Sequence, residues 1–139
     1  MRKPTKAREN ALKVLYQVEI TRRDAASVSK QYWAELGTYD ETVRKYCDRL
    51  TSGVEQSLEV IDGLISQHAT NWQLKRMAVI DRNIMRIATF ELQFAEDIPP
   101  KVAINEAVEL AKKYGDVESS KFVNGVLDKI HKTKEGQQE

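Results

Sequence analysis

Cysteine occurs once, at Cys47, so no internal disulfide can form and the chain suits a reducing cytosol. Proline is confined to Pro4, Pro99 and Pro100, which leaves residues 5 to 98 without a helix breaker. The six glycines are scattered singly, and this excludes a phosphate-cradling loop or a dinucleotide fingerprint. No nucleophile elbow is present either. Apolar runs are only a few residues long, too short to span a bilayer. The charges of the N-terminus lead into no apolar stretch, so a secretory signal is not expected. A cytoplasmic protein with no membrane partner follows. Histidine is scarce as well: His68 and His131 stand at no metal-ligand spacing from Cys47. Neither a metal nor a cofactor is expected. A phosphotransfer role for His68 would need an exposed imidazole, whereas His68 continues an apolar stripe as a satisfied core or boundary residue would. Catalysis is therefore not expected.

What is present is helical periodicity. A chain of 139 residues makes one domain by length, able to bury roughly 68–70% of its unfolded surface. The first helix is expected from about Thr5 to Ile20, with Ala7, Ala11, Leu15 and Val18 on one stripe. Ala25, Val28, Tyr32 and Leu36 make a second, ended by Gly37, and Asp40 is placed to cap the next. From Val43 to His68 one apolar stripe runs on, a rod roughly 40 Å long at 1.5 Å per residue, with Gly53 on its apolar side. Residues 69 to 73 interrupt the pattern. A second set follows at about Val79–Ala95, Pro100–Tyr114 and Ser119–His131, with Gly115 as a C-terminal cap and Ser119 or Ser120 as an N-cap. The expected architecture is all-α. It has about seven helices, counting a short one at Trp72–Met77, in two small bundles, perpendicular or side by side. The N-terminal sub-bundle spans about residues 1–69, the C-terminal one about 70–134, and a polar tail at 135–139 frays.

Net charge is only +1, but its distribution is uneven. Arg2, Lys3, Lys6, Arg8 and Lys13 stand against Glu9 alone, while residues 35 to 62 hold seven acids against Arg44, Lys45 and Arg49. A basic arm suits nucleic acid, and equally a solvated helix start.

Several polar residues interrupt apolar stripes. Glu91 shares a stripe with Ile84, Ile87 and Ala88, so it needs partners: the open N–H groups after Pro100, or an arginine. Val102 to Ala111 is apolar on most sides and is expected to run through the middle of the second bundle, with Asn105 and Glu106 fastening neighbouring helices. Gly125 suggests a tight helix crossing, since it costs about 1 kcal/mol relative to Ala in a helix. Asn124 beside it would bond a neighbouring backbone or reach a ligand. Phe122, next to Lys121, is either a stacking platform for single-stranded RNA or a core residue with Val126 and Ile130. Tyr16 poses the same choice. Trp33 and Trp72 read as packing anchors.

Taken in order, these blocks closely resemble the NusB family of bacterial antitermination factors. The resemblance rests on Lys6-Ala7-Arg8-Glu9 with Leu15-Tyr16, Leu50-Thr51-Ser52-Gly53-Val54, Ile80-Asp81-Arg82, Met85-Arg86-Ile87-Ala88 and Phe90-Glu91-Leu92. It closes with Val102 to Ala111 and Lys121 to Leu127, and covers essentially the whole chain. No single block is diagnostic; their order and spacing are.

The resemblance implies a non-enzymatic, all-helical protein. Such a protein binds boxA RNA of nascent ribosomal RNA transcripts together with the ribosomal protein NusE, and through other Nus factors it acts on RNA polymerase. It also implies an RNA surface made by Lys6 and Arg8, with Arg2 and Lys3 as helpers, and by Tyr16, Lys121 and Phe122. Glu118 would modulate that surface, and Asn124 is the further candidate there. Arg76, Asp81 and Arg82, read as an exposed charged edge, are the candidates for contact with NusE. One departure stands out: Thr5 lies between Pro4 and Lys6, so the arm is less arginine-rich than in some members, and lysine lacks the bidentate grip of arginine. Two alternatives remain: a helical protein-interaction module independent of RNA, or a stand-alone relative of the RNA-binding domain of ribosomal RNA methyltransferases. A methyltransferase domain is not expected within 139 residues. Pairing of two copies through an exposed helical face is also left open.

Overall fold

The helical periodicity is realised along the chain. The computed structural model describes residues 1–70 and 74–138, and among these it contains seven α-helices and no strand. They are α1 (Lys3–Thr21), α2 (Ala25–Leu36), α3 (Glu41–Gln56), α4 (Leu58–His68), α5 (Val79–Phe94), α6 (Pro100–Tyr114) and α7 (Val117–Gln138), with one 3-10 turn at Leu74–Arg76. Trp72 lies outside the described residues. The expected single rod from Val43 to His68 is two helices, because the chain leaves the helical region at Ser57 (φ −114°, ψ 22°). The chain forms two compact units, Met1–Gln56 and Ser57–Glu139. The division thus falls at that break and not near residue 70, since α4 packs on α5 and α7.

In the first unit α1 packs against both α2 and α3. Its core is Ala7, Ala11, Leu12, Val14, Leu15, Val28, Trp33, Cys47 and Leu50. Trp33 is the expected anchor, its ring edge-on to Tyr32 at 5.3 Å and tilted on Tyr39 at 5.0 Å. Burial pushes the Cys47 thiol up to about 12, so it stays protonated and unreactive. The links are closed by local chemistry. Arg22 takes the left-handed conformation (φ 59°) after α1, and Gly37 (φ 78°) ends α2, where a side chain would be strained. Asp24 accepts from Ser27 N–H, and Asp40 accepts from the N–H groups of Thr42 and Val43, as its expected capping role requires.

In the second unit the central helix is α5, not α6. Nine of its residues from Asn83 to Leu92 are buried, and it touches α4, α6 and α7. Helix α6 keeps Val102 (42% accessible) and Asn105 exposed, so Asn105 fastens no neighbour and only one face of α6 is covered. Glu91 is only 1% accessible and is not without a partner, as a carboxylate in that place requires. Arg86 ties α5 to α4 through a two-pronged pair with Asp62, Nε to Oδ1 at 2.8 Å and Nη2 to Oδ2 at 2.9 Å. Lys134 donates to the carbonyl of Leu92 at the C-terminal end of α5. His68 is satisfied by the Leu64 carbonyl and the Thr133 hydroxyl. Helix α7 runs to Gln138, past the point where fraying was expected.

Candidate nucleic-acid interface

The basic arm is shaped by the start of α1. Arg2 is the N-cap position and is exposed, and Pro4 sits in the first turn, where a missing N–H costs nothing. Lys3 is held by Asp40, Nζ to Oδ2 at 3.1 Å, and this pair with two backbone N–H bonds keeps the Asp40 carboxyl below its usual range. Lys6 projects into solvent. Arg8 does not. It is 2% accessible, with its guanidinium 5.6 Å from the centre of the Tyr46 ring. The expected phosphate contact from Arg8 is therefore corrected: α3 covers the side chain, and its cation–π contact fastens α1 to α3. Arg49 stands over the same ring at 5.7 Å. Tyr16 is 43% accessible, so the core reading of Tyr16 falls.

In the second unit, the start of α7 is tied to the start of α5. Asp116 caps α7 by accepting from Ser119 N–H at 2.8 Å, and Ser119 Oγ accepts in return from Asp116 N–H at 3.2 Å. The cap is thus Asp116, not Ser119 or Ser120. Ser119 Oγ also donates to Asp81 Oδ2 at 3.1 Å. Gly115 is required here, because a Cβ would lie 2.6 Å from Ser119 Oγ. These bonds set the floor of an open pocket of about 560 Å³. Arg76, Asp81, Glu118, Lys121 and Phe122, all named from the sequence, line it together.

Their states differ. Phe122 is half-buried, while the buried stripe of α7 is Val123, Val126, Leu127 and Ile130. Phe122 is thus at the pocket wall and outside the core stripe. Glu118 and Lys121 are exposed and 4.0 Å apart. Asp81 is half-buried, with Oδ1 shut from solvent and without a hydrogen-bond partner among the described residues. Burial pushes its carboxyl up, the Ser119 hydroxyl opposes this, and the Asp116 charge adds to the rise. Arg82, expected at an exposed edge, is turned inward: Nη1 donates to the carbonyls of Leu74 (2.9 Å) and Met77 (3.2 Å), bracing the turn before α5. Asn124 is exposed and does not line the pocket. Gly125 meets nothing within 4 Å, so no helix crosses there and the expected tight crossing is absent.

Sequence reasoning missed Tyr46 and Arg49. The signal was available, since Arg49 follows Tyr46 at the i, i+3 spacing of helix neighbours, but only α1 shows which side of α3 it serves. Among the described residues, no helix is long and apolar enough to cross a membrane, and no cluster of three or more His, Cys, Asp or Glu is placed to hold a metal.

Fold and site together define a class: an all-helical protein whose aromatic and charged side chains of interest line helix surfaces and an open pocket. Residues 5–132 match the model of the NusB family. The transcription antitermination protein NusB of Myxococcus xanthus is 45% identical over 126 residues, covering 88% of this chain and 90% of that protein. The solved structure of T. maritima NusB superposes with a TM-score of 0.85 at 40% identity, over 95% of this chain and 92% of that one. A solved complex of the antitermination factors NusB and NusE with dsRNA holds a chain matching at TM-score 0.86 and 30% identity, over 96% of this chain and 98% of that one. The chain belongs to the NusB family.

Proposed function

We propose that this chain is a transcription antitermination factor that binds boxA RNA of nascent ribosomal RNA transcripts together with NusE, within the Nus factor assembly on RNA polymerase. The observation that carries this reading is family membership over nearly the full length, joined to a similar fold solved with NusE and dsRNA. The protein acts by binding and not by catalysis, in the cytoplasm. Its RNA contacts are Arg2, Lys3, Lys6 and Tyr16 in the first unit, and Lys121, Phe122 and Asn124 in the second. Phe122, half-exposed at its pocket, supplies a face for one base, and stacking of this kind is worth about 1–3 kcal/mol. Glu118, paired with Lys121, moderates that surface by repelling phosphate.

NusE is assigned to the Arg76 and Asp81 side of the pocket. The pocket supports this, because Arg76 and Asp81 line its wall together and offer opposite charges to a partner's polar groups. The test is an anisotropy titration of labelled boxA RNA and a scrambled RNA, each with and without NusE. Binding specific for boxA that tightens with NusE is expected. Binding blind to sequence and indifferent to NusE would overturn the reading in favour of a protein-interaction module sharing the fold.

A further inference from the structure

The acidic character of residues 35 to 62 is not spread evenly around α3. Its acids Glu41, Asp48 and Glu55 recur every seven residues and so share one flank. That flank is turned to α2: Asp48 Oδ1 accepts from Ser29 Oγ at 2.5 Å, and Glu55 Oε2 accepts from Ala25 N–H at 2.7 Å. Asp48 also pairs with Arg44 on the same helix. A different row, Thr42, Lys45, Arg49, Ser52 and Gln56, follows 3-4-3-4 spacing, is exposed throughout and contains no acid. The fold thus sorts this charge in part: Asp48 and Glu55 are bonded to α2, Glu41 stays exposed one turn before Lys45, and the polar row carries two cations.

Arg49 brings this row to the edge of α1. Lys3 meets Asp40 and Arg8 meets Tyr46, so α1 and α3 run side by side in the same direction. The Tyr46 ring carries Arg8 from α1 and Arg49 from α3, which sets Arg49 at the outer edge of the α1–α3 seam. Lys45 lies one turn before it. Tyr16 lies two turns beyond Arg8 on α1, about 12 Å along the axis, and is exposed. Burial of Arg8 removes one cation from the arm, and Arg49 puts a guanidinium back at the surface beside it.

We propose that Lys45 and Arg49 extend the RNA contact from α1 onto α3, gripping the phosphate backbone of a single strand that follows the seam. The inference rests on the RNA-binding reading above and adds to it helix α3 and two residues. Charge complementarity selects the ligand: an exposed row with two cations and no acid of its own, beside a helix that carries the exposed Tyr16, suits a polyanion with bases to stack. Arg49 adds a second exposed guanidinium, with its planar, bidentate grip on phosphate, to that of Arg2.

The test compares wild type with Lys45→Gln/Arg49→Gln, Lys45→Gln, Arg49→Lys and Lys6→Gln in anisotropy titrations of labelled boxA and scrambled RNA at several salt concentrations. The double variant is expected to weaken both RNAs alike, since phosphate contacts carry no sequence information. Its plot of log K against log salt should be shallower by about 0.7 for each phosphate no longer neutralised. Arg49→Lys should keep the slope while losing part of the affinity. Lys45→Gln touches no packed ring and keeps the test sound if Arg49→Gln lowers the melting temperature. An unchanged slope in the double variant, with Lys6→Gln shallower, would place the strand on α1 alone and overturn the inference. A loss of affinity seen only with NusE and insensitive to salt would assign the row to a protein and overturn it too. If wild type binds neither RNA, the parent reading fails first, and this inference fails with it.

Discussion

At the scale of single residues, burial separates cations that look equivalent on paper. Lys6 and Arg8 both belong to the basic arm, yet one is exposed and the other is 2% accessible over Tyr46. Arg8→Ala should lower stability by about 1–2 kcal/mol, because it removes a desolvated cation–π interaction and the packing of the side-chain stem. Lys6→Ala should leave the melting temperature unchanged and make the salt slope of RNA binding shallower. Chemical denaturation and anisotropy read the two effects independently. Asp81 yields a pH prediction. Burial, opposed by Ser119 and reinforced by Asp116, holds its carboxyl above the ordinary 3.8. Between that value and the raised one the native state binds the proton more tightly than the unfolded chain. Stability therefore falls as pH rises through this window, contrary to the usual carboxylate. Asp81→Asn lacks that step, so its stability relative to wild type should increase from acid to neutral pH. A flat difference in urea midpoints across that range would contradict the assignment.

At the scale of elements, what matters is which face each helix spends on its neighbours. Helix α5 spends nearly all of it and is pinned to α4 by Arg86 and Asp62, whose side chains are only 12% and 22% accessible. Arg86→Ala should cost about 2–3 kcal/mol, less than the roughly 3–5 kcal/mol of a fully buried pair, because some solvent reaches this one. Equilibrium unfolding in urea would measure it. Helix α7 has the opposite character at Asn124 and Gly125, which face open solvent. Gly125→Ala should stabilise the protein by about 0.5–1 kcal/mol, as an unstrained helical glycine with nothing near its missing Cβ allows. Thermal unfolding tests this, and a drop in RNA affinity in the same variant would show that the glycine serves a ligand's close approach.

At the scale of the whole molecule, a net charge of +1 makes long-range attraction to RNA weak, so binding depends on a few local contacts. Four phosphate contacts from Arg2, Lys3, Lys6 and Lys121 predict a slope of log K against log salt of roughly −3 for single-stranded RNA, and Lys45 and Arg49 would steepen it to roughly −4. A slope near zero in the wild-type titration would mean that phosphates carry none of the affinity. The all-α class, the helices at either end of the chain and the capping signals at Gly37, Asp40 and Gly115 were legible because they depend on local spacing and local hydrogen bonds. The division between units was not legible. The apolar stripe continues in phase through Ser57, and periodicity carries no mark of a break that packing of α4 on α5 and α7 imposes.

The sequence by itself determined the family, the helical class and the identity of most surface candidates, because order and spacing of residues survive without coordinates. Tertiary structure decided which of those candidates meet solvent. Arg8 and Arg82 were drawn inward by Tyr46 and by the carbonyls of Leu74 and Met77. Asp81, Glu118 and Phe122 were brought around one pocket from helices far apart in the chain. Asp48 and Glu55 of α3 were bonded to α2, while Lys45 and Arg49 were left exposed. The physical reason is the same in each case: accessibility and pairing belong to contacts between helices, and a one-dimensional pattern records only the helix on which a residue sits.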